Sequence, residues 1–244
     1  MSGHSKWSKI QHKKGKIDGA RSNLFTKLCK AITIAASHGG GDPDMNFSLR
    51  LAIDKAKISN VPKDNIEKAI KRGIGELAEG AVFEEIIYEG FGQGGIAFLI
   101  EAVTDNKNRA VSEIKHVFSK YEGSLGGPGC VQWQFDHMGV VRLGKDKKDM
   151  LGEKWSDLEL GLMDAGVDDI IESEFGIELH CAIDKLQTVL EVIKKFAIDT
   201  EDSGLEWVAK ETITLEENES ASVAKLYDLL DELDDVEAVY TNEA

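Results

Sequence analysis

The side chains best suited to bind another molecule are concentrated in the first thirty residues, eight of which are basic and one acidic. Lysine and arginine side chains make ionic contacts with phosphates, and aromatic rings between them can stack on bases or wedge at a groove. The composition predicts a nucleic-acid-binding segment with these contact residues: Lys6, Trp7, Lys9, His12, Lys13, Lys14, Lys16, Arg21, Lys27 and Lys30. The alternative interpretation is a surface that lysines keep soluble.

Two glycine runs are candidates for phosphate-binding loops, but both lack residues that such loops require. Gly90, Gly92 and Gly95 satisfy G-x-G-x-x-G, yet an apolar segment typical of a strand follows where a dinucleotide site needs a helix. A hairpin turn is therefore predicted there. The run Gly39-Gly40-Gly41 lacks the Lys and the Ser or Thr of a phosphate loop, which favours a flexible hinge.

No catalytic or metal-ligating set is evident. The six histidines never occur at i and i+4, and Cys29, Cys130 and Cys181 form no CxxC pair, so neither a zinc site nor a disulfide framework is predicted. No Ser, His and Asp arrangement lies on a recognisable elbow. We therefore expect a protein that is not an enzyme and needs no cofactor.

Charge divides the chain into two contrasting parts. Residues 1–80 hold 15 basic and 8 acidic side chains, net +7, whereas residues 81–244 hold 14 basic and 36 acidic ones, net −22. A basic module joined to an acidic body is predicted. The acidic body should repel polyanions, but it could offer a face to a basic protein.

Apolar periodicity predicts three short helices in the basic module, after an arm over residues 1–19. The first helix runs from Ala20 to His38 and leaves Arg21, Lys27 and Lys30 toward solvent; the second contains Phe47, and the third runs from Pro62 to Gly73. These elements define a helical domain over residues 1–80.

After Gly80 the period becomes extended, and two α/β domains are predicted. Strands at Val82–Tyr88, Gly95–Thr104 and Val131–Phe135 surround a helix that Asp105 or Asn106 can cap. A strand-helix-strand-strand-helix order then begins at Val140, the ferredoxin-like pattern without its final strand. The last elements are a strand at Val208–Leu215, a helix at Ser220–Leu233 and a strand at Val236–Tyr240.

The predicted fold class is α+β, a three-helix domain followed by two α/β domains of which at least one is ferredoxin-like. The last elements could complete the ferredoxin-like unit or return to the first sheet, and we favour the return. The predicted domains are residues 1–80, residues 81–136 with 204–244, and an inserted domain over residues 137–203. The start of the chain lacks the apolar core of a signal peptide, and the run Ile96–Ile100 is too short to span a membrane. We therefore expect a cytoplasmic protein without membrane contact.

Specific segments occur in order along the chain: Gly3-His4-Ser5-Lys6-Trp7, Asp42-Pro43, Leu49-Arg50, Ala56-Lys57, Pro62-Lys63-Asp64-Asn65-Ile66, Tyr88-Glu89-Gly90, Thr104-Asp105-Asn106, Asn108-Arg109 and Leu125-Gly126. Together they closely resemble the YebC/PmpR family. The resemblance implies three domains and a cytoplasmic bacterial protein, a probable transcriptional regulator that binds promoter DNA. It also includes relatives that act on translation, among them the mitochondrial translational activator of a cytochrome oxidase subunit.

Composition and resemblance together predict a nucleic-acid-binding regulator whose basic N-terminal domain contacts phosphates of DNA. The alternative is a ribosome-associated translation factor whose arm contacts ribosomal RNA. No helix with base-reading Asn, Gln and Arg side chains is evident. Sequence-specific contact with bases is therefore not predicted from the residues.

Overall fold

A computed structural model of the chain describes residues 20–77 and 83–244, with side chains from residue 23 onward. These residues form two compact units: one holds the described residues up to Gln134 together with Glu211–Ala244, and the other is Phe135–Lys210. The helices are α1 (Ala20–Gly39), α2 (Phe47–Ile58), α3 (Lys63–Gly73), α4 (Lys107–Lys120), α5 (Lys147–Leu151), α6 (Lys154–Asp164), α7 (Leu186–Lys195) and α8 (Glu217–Asp231). The strands are β1 (Glu84–Phe91), β2 (Ala97–Thr104), β3 (Ser124–Leu125), β4 (Phe135–Gly144), β5 (Val167–Glu172), β6 (Gly176–Cys181), β7 (Asp202–Ala209) and β8 (Val236–Thr241).

Helices α1, α2 and α3 pack around their own apolar cluster, which includes Leu28, Ile32, Leu49 and Ile66. Asn46 fixes the turn between α1 and α2. Its side-chain oxygen accepts the Leu49 N–H at 3.0 Å, and its amide donates to the carbonyls of Ala35 and Gly40. A Cβ atom on Gly39 would lie 2.5 Å from Asn46, so the predicted hinge contains a glycine that close packing requires.

The first unit also contains an antiparallel sheet with strand order β3-β1-β2-β8. Phe98 and Ile100 on β2 pack with Phe118 of α4 and Leu226 of α8, so these two helices cover one face of the sheet. Asn106 caps α4 by accepting the Arg109 N–H at 3.1 Å, as one of the two predicted capping residues. Strand β8 reaches this sheet from the far end of the sequence.

The second unit is a ferredoxin-like fold with all four strands present. Its antiparallel sheet has the order β5-β6-β4-β7, and β7 pairs with β4 from Asp202↔Arg142 to Ala209↔Phe135. The prediction that the ferredoxin-like unit lacks its final strand is therefore wrong. The strand predicted at Val208–Leu215 lies instead at Asp202–Ala209, because two acidic residues of β7 face the buried Arg142 rather than solvent.

One strand assignment and two predicted domain boundaries also differ from the structure. The residues Gln132–Gln134 form a 3-10 turn rather than part of a strand, since the N–H groups of Val131 and Gln132 donate to the carboxylate of Glu89. The predicted domain boundaries at 136/137 and 203/204 fall inside β4 and β7. The α+β class, with a helical region followed by two sheet-containing domains, is confirmed.

Candidate nucleic-acid interface

Most of the predicted contact residues lie outside the described part of the chain. These are Lys6, Trp7, Lys9, His12, Lys13, Lys14 and Lys16. Arg21 belongs to α1, but its side chain also lies outside the described residues. Contacts by these side chains remain predictions.

Lys27 and Lys30 do not face solvent, which corrects the prediction made for them. Lys27 is 9% exposed and its ammonium donates to the carbonyl of Asp231. The Lys30 ammonium lies 3.0 Å from the Asp235 carboxylate and 2.8 Å from the carbonyl of Asp234. The carbonyl end of a helix is electronegative and attracts cations, and α8 ends at Asp231. These two lysines therefore hold α1 against the α8–β8 connection.

The carboxylate of Asp235 is the centre of this contact. It is 2% exposed and accepts hydrogen bonds from Lys30, from Thr104 at 2.9 Å and from the Arg109 guanidinium at 2.7 Å. Burial alone would raise the pKa of Asp235, but the hydrogen bonds from Lys30, Arg109 and Thr104 hold it below its ordinary value. The three-helix region is thereby oriented on the first sheet by charged groups.

Helix α3 presents three exposed cations that sequence reasoning did not select. Lys68, Lys71 and Arg72 stand at i, i+3 and i+4, so they share one face of the helix. Across residues 20–77 and 83–244, no carboxylate forms an ion pair with any of the three. Cations in a last turn also complement the helix dipole, which explains part of their placement. We refer to Lys68, Lys71 and Arg72 as the α3 cation cluster.

A second feature missed from the sequence is an exposed tryptophan beside a loop whose backbone is hydrogen-bonded to a buried carboxylate. Glu89 is 3% exposed, and its carboxylate accepts the backbone N–H groups of Gly129, Val131 and Gln132. Burial would raise the pKa of Glu89, but these hydrogen bonds lower it overall. The next side chain, Trp133, is 68% exposed and donates its indole N–H to the Cys130 carbonyl. Its ring faces are thus available for stacking.

The glycine run at Gly90–Gly95 is a hairpin turn, as predicted. Strands β1 and β2 pair from Glu84↔Thr104 to Phe91↔Ala97, and Gly94 and Gly95 adopt φ values of 67° and 75° in the turn between them. Positive φ angles favour glycine. These glycines therefore serve the turn, and a strand rather than a helix N-terminus follows them.

Within residues 20–77 and 83–244, no group of three or more His, Cys, Asp or Glu side chains is arranged to hold a metal ion. None of the helices described there is long and apolar enough to cross a membrane.

Comparison with known proteins gives consistent matches over the whole chain. A family model described as the TACO1/YebC protein N-terminal domain matches residues 5–76, and one described as the TACO1/YebC second and third domain matches residues 83–243.

Individual relatives agree with the family models. A probable transcriptional regulatory protein of Desulfatibacillum aliphaticivorans is 48% identical over 99% of this chain and 96% of its own length. One of Desulfosudis oleivorans is 46% identical with the same coverage of both chains. The crystal structure of a conserved hypothetical protein from Aquifex aeolicus superposes with a TM-score of 0.87 at 38% identity, covering 98% of this chain and 97% of that one.

Proposed function

The chain belongs to the TACO1/YebC family, whose curated relatives are named probable transcriptional regulatory proteins, and we propose that it regulates by binding nucleic acid through its basic N-terminal region. DNA is the proposed target, and the cytoplasm is the proposed location. We propose no catalytic step.

One observation carries the proposal: the α3 cation cluster is exposed and has no carboxylate partner among the residues that the structure describes, within a region of net charge +7. Cations that already have carboxylate partners must break those ion pairs to bind a phosphate, whereas unpaired ones need not. Neutralising phosphates releases condensed counterions, which supplies most of the sequence-independent affinity. The predicted contacts from Lys6 to Arg21 would extend this surface along the chain.

The contact around Asp235 supports different roles for the basic and acidic parts of the chain. Because Lys30 and Arg109 both donate to its carboxylate, α1 is held on the first sheet in one orientation. A body of net charge −22 over residues 81–244 cannot be the primary contact with a polyanion. We propose that it orients the basic region and recruits protein.

Ionic contacts with phosphates do not by themselves distinguish DNA from RNA. The names of the relatives favour transcription, and therefore DNA. Ribosomal RNA is the competing target. If it is the true target, the protein should contact ribosomal RNA rather than promoter DNA in the cell.

Crosslinking in cells, followed by sequencing of both the DNA and the RNA recovered, tests the proposal. We expect the full chain to crosslink to promoter DNA, and the triple variant K68A/K71A/R72A to lose most of that signal because three phosphate contacts are removed. The matched control K154A/K194A/K195A removes three exposed lysines from the second unit and should keep it. An RNA-dominated signal concentrated on ribosomal RNA would overturn DNA as the target, and equal losses in the two variants would overturn the α3 cation cluster as a contact.

A further inference from the structure

Helices α2 and α3 are joined by a short turn over residues 59–62. Within this turn Asn60 adopts a φ of 59°, a backbone conformation that asparagine tolerates better than most residues. Val61 is buried and belongs to the same apolar cluster as the three helices. A helix, a short turn and a second helix are the order of a helix-turn-helix unit, and α1 supplies the third helix of its core.

In such units the second helix contacts DNA, so the exposed side of α3 is the relevant surface. The covered side faces the helical core, where Ile66 and Ala69 are buried. A Cβ atom on Gly73 would lie 2.3 Å from the carbonyl oxygen of Thr33, so α1 and α3 pack closely. An α-helix with its side chains is about 10–12 Å across, and the major groove of B-DNA is about 12 Å wide. The free side of α3 can therefore enter that groove.

Residue types change along the exposed side of α3. Asp64 and Asn65 lie in the first turn of the helix, whereas the α3 cation cluster occupies the later turns. Asn65, Lys68 and Arg72 follow one another at i, i+3 and i+7, so they form one stripe. Phosphates attract the cations but repel the Asp64 carboxylate, whereas base edges in the major groove offer both donors and acceptors. The first turn therefore suits base edges, and the later turns suit phosphates.

Asn65 is the residue of this stripe that is best equipped to read a base. A carboxamide can donate to N7 and accept from N6 of the same adenine. The Asn65 side chain is exposed and, within residues 20–77 and 83–244, forms no hydrogen bond. Asn46 and Asn106, in contrast, use their side-chain oxygens to cap helices. The neighbouring carboxylate of Glu67 pairs with Lys63 at 3.5 Å and so does not hold the Asn65 amide.

We propose that α3 lies in the major groove of duplex DNA, with Asn65 on the edge of an adenine and the α3 cation cluster on backbone phosphates. This inference rests on the proposed function and refines it from phosphate contact to sequence-dependent contact. The occupant is duplex DNA rather than duplex RNA, because the major groove of A-form RNA is too deep and narrow for side chains to read. Sequence reasoning did not indicate such a helix, since spacing alone does not show which side of α3 is free.

Selection from a pool of random-sequence DNA duplexes tests the contact with bases. The full chain and its variants are incubated with the pool, and the bound duplexes are sequenced. We expect the full chain to enrich a short motif with an A·T pair in fixed orientation, preferred roughly 5- to 150-fold over other pairs. Asn65→Ala should lose the preference at that pair alone. The matched control Asn108→Ala removes an exposed asparagine from the first turn of α4 and should keep the whole motif.

A change of one atom in the DNA tests the contact with adenine N7. The selected duplex is synthesised with 7-deazaadenine at the preferred position, which replaces the N7 acceptor by a C–H group. We expect the full chain to bind this duplex more weakly than the unmodified one, and Asn65→Ala to bind the two equally. Equal binding of both duplexes by the full chain would overturn the placement of Asn65 in the major groove.

Salt titration with the selected duplex separates contact with bases from contact with phosphates. Lys71→Ala should reduce the magnitude of the slope of log K against log salt by roughly 0.9 and leave the enriched motif unchanged. Asn65→Ala should leave the slope unchanged, because its side chain carries no charge. Binding without an enriched motif, or a motif that Asn65→Ala retains, would overturn the proposal and leave phosphate contact intact. Absence of binding to any duplex by the full chain would contradict the proposed function as well.

Discussion

Replacing Arg142 by methionine is expected to lower the free energy of unfolding by about 3–5 kcal/mol. The substitution removes the guanidinium that pairs with Glu178 and Glu206, whose side chains are 3% and 7% exposed. Removing one partner from a buried ion pair costs the desolvation of the charge that stays behind. Urea denaturation of the full chain, followed by tryptophan fluorescence, measures the loss, since Trp155 and Trp207 both lie in this unit.

Two further variants show whether the loss of stability comes from the buried ion pairs of Arg142 rather than from replacing any arginine. Arg142→Lys keeps a positive charge but cannot make the two parallel hydrogen bonds to Glu206, so its loss should be intermediate. Arg109→Met removes a guanidinium that also pairs with two carboxylates but is 45% exposed, and its loss should be much smaller. A free energy of unfolding of Arg142→Met within about 1 kcal/mol of the original would contradict the view that the buried ion pairs of Arg142 stabilise this sheet.

Replacing Glu237 by glutamine is expected to stabilise the protein above neutral pH. The Oε2 atom of Glu237 is buried and, among the described residues, has no hydrogen-bond partner. Burial raises the pKa of Glu237 to about 7, although Lys55, Lys27 and Lys30 oppose the shift and Glu101 adds to it. A carboxyl whose folded pKa exceeds its unfolded one favours the folded state most at low pH. That contribution is lost as pH rises from about 4.5 to about 7.

The variant E237Q should therefore match the original protein near pH 4.5 and exceed its stability by about 3 kcal/mol at pH 8. Denaturation curves at the two pH values measure the difference. Glu113→Gln, at an exposed position on α4, is the control and should show no such dependence. A constant difference between E237Q and the original protein at both pH values would show that the buried carboxyl is not responsible.

Element order and local signals were sufficient to predict much of the fold. The alternation of strands and helices after Val140 predicted a ferredoxin-like unit because each apolar run had the period of its element. The hairpin at Gly90–Gly95 and the Asn106 cap followed from residue types that permit those backbone angles and hydrogen bonds. Such features depend on a few neighbouring residues, and a sequence displays them directly.

Features that depend on distant residues were not predictable in the same way. Strand β7 was misplaced because Asp202 and Glu206 resemble solvent-facing residues until Arg142, some sixty positions earlier, is placed opposite them. Helical periodicity located the apolar stripe of α1 but could not show that its polar side meets the carbonyls at the end of α8. The prediction that Lys27 and Lys30 face solvent was wrong for that reason.

The residues of the candidate interface also differ in how far the sequence alone could identify them. The predicted contacts from Lys6 to Lys16 rest on composition, and they remain predictions. The α3 cation cluster was visible as a helical spacing, but only the fold shows which of the many lysines have carboxylate partners. The residues around Trp133 were predicted to form a strand. They form a loop instead, because Glu89, more than forty residues earlier in the chain, accepts hydrogen bonds from their backbone.

The claim that the N-terminal lysines extend the phosphate-binding surface is tested most directly by the salt dependence of binding. The full chain and its variant K9A/K13A/K14A/K16A are titrated with duplex DNA across a range of salt concentrations. The plot of log K against log salt has a negative slope. The magnitude of this slope should decrease by roughly 0.9 for each phosphate that the variant no longer neutralises, or by up to about 3.6 for the four substitutions. An unchanged slope would contradict the proposal that these lysines bind the phosphates.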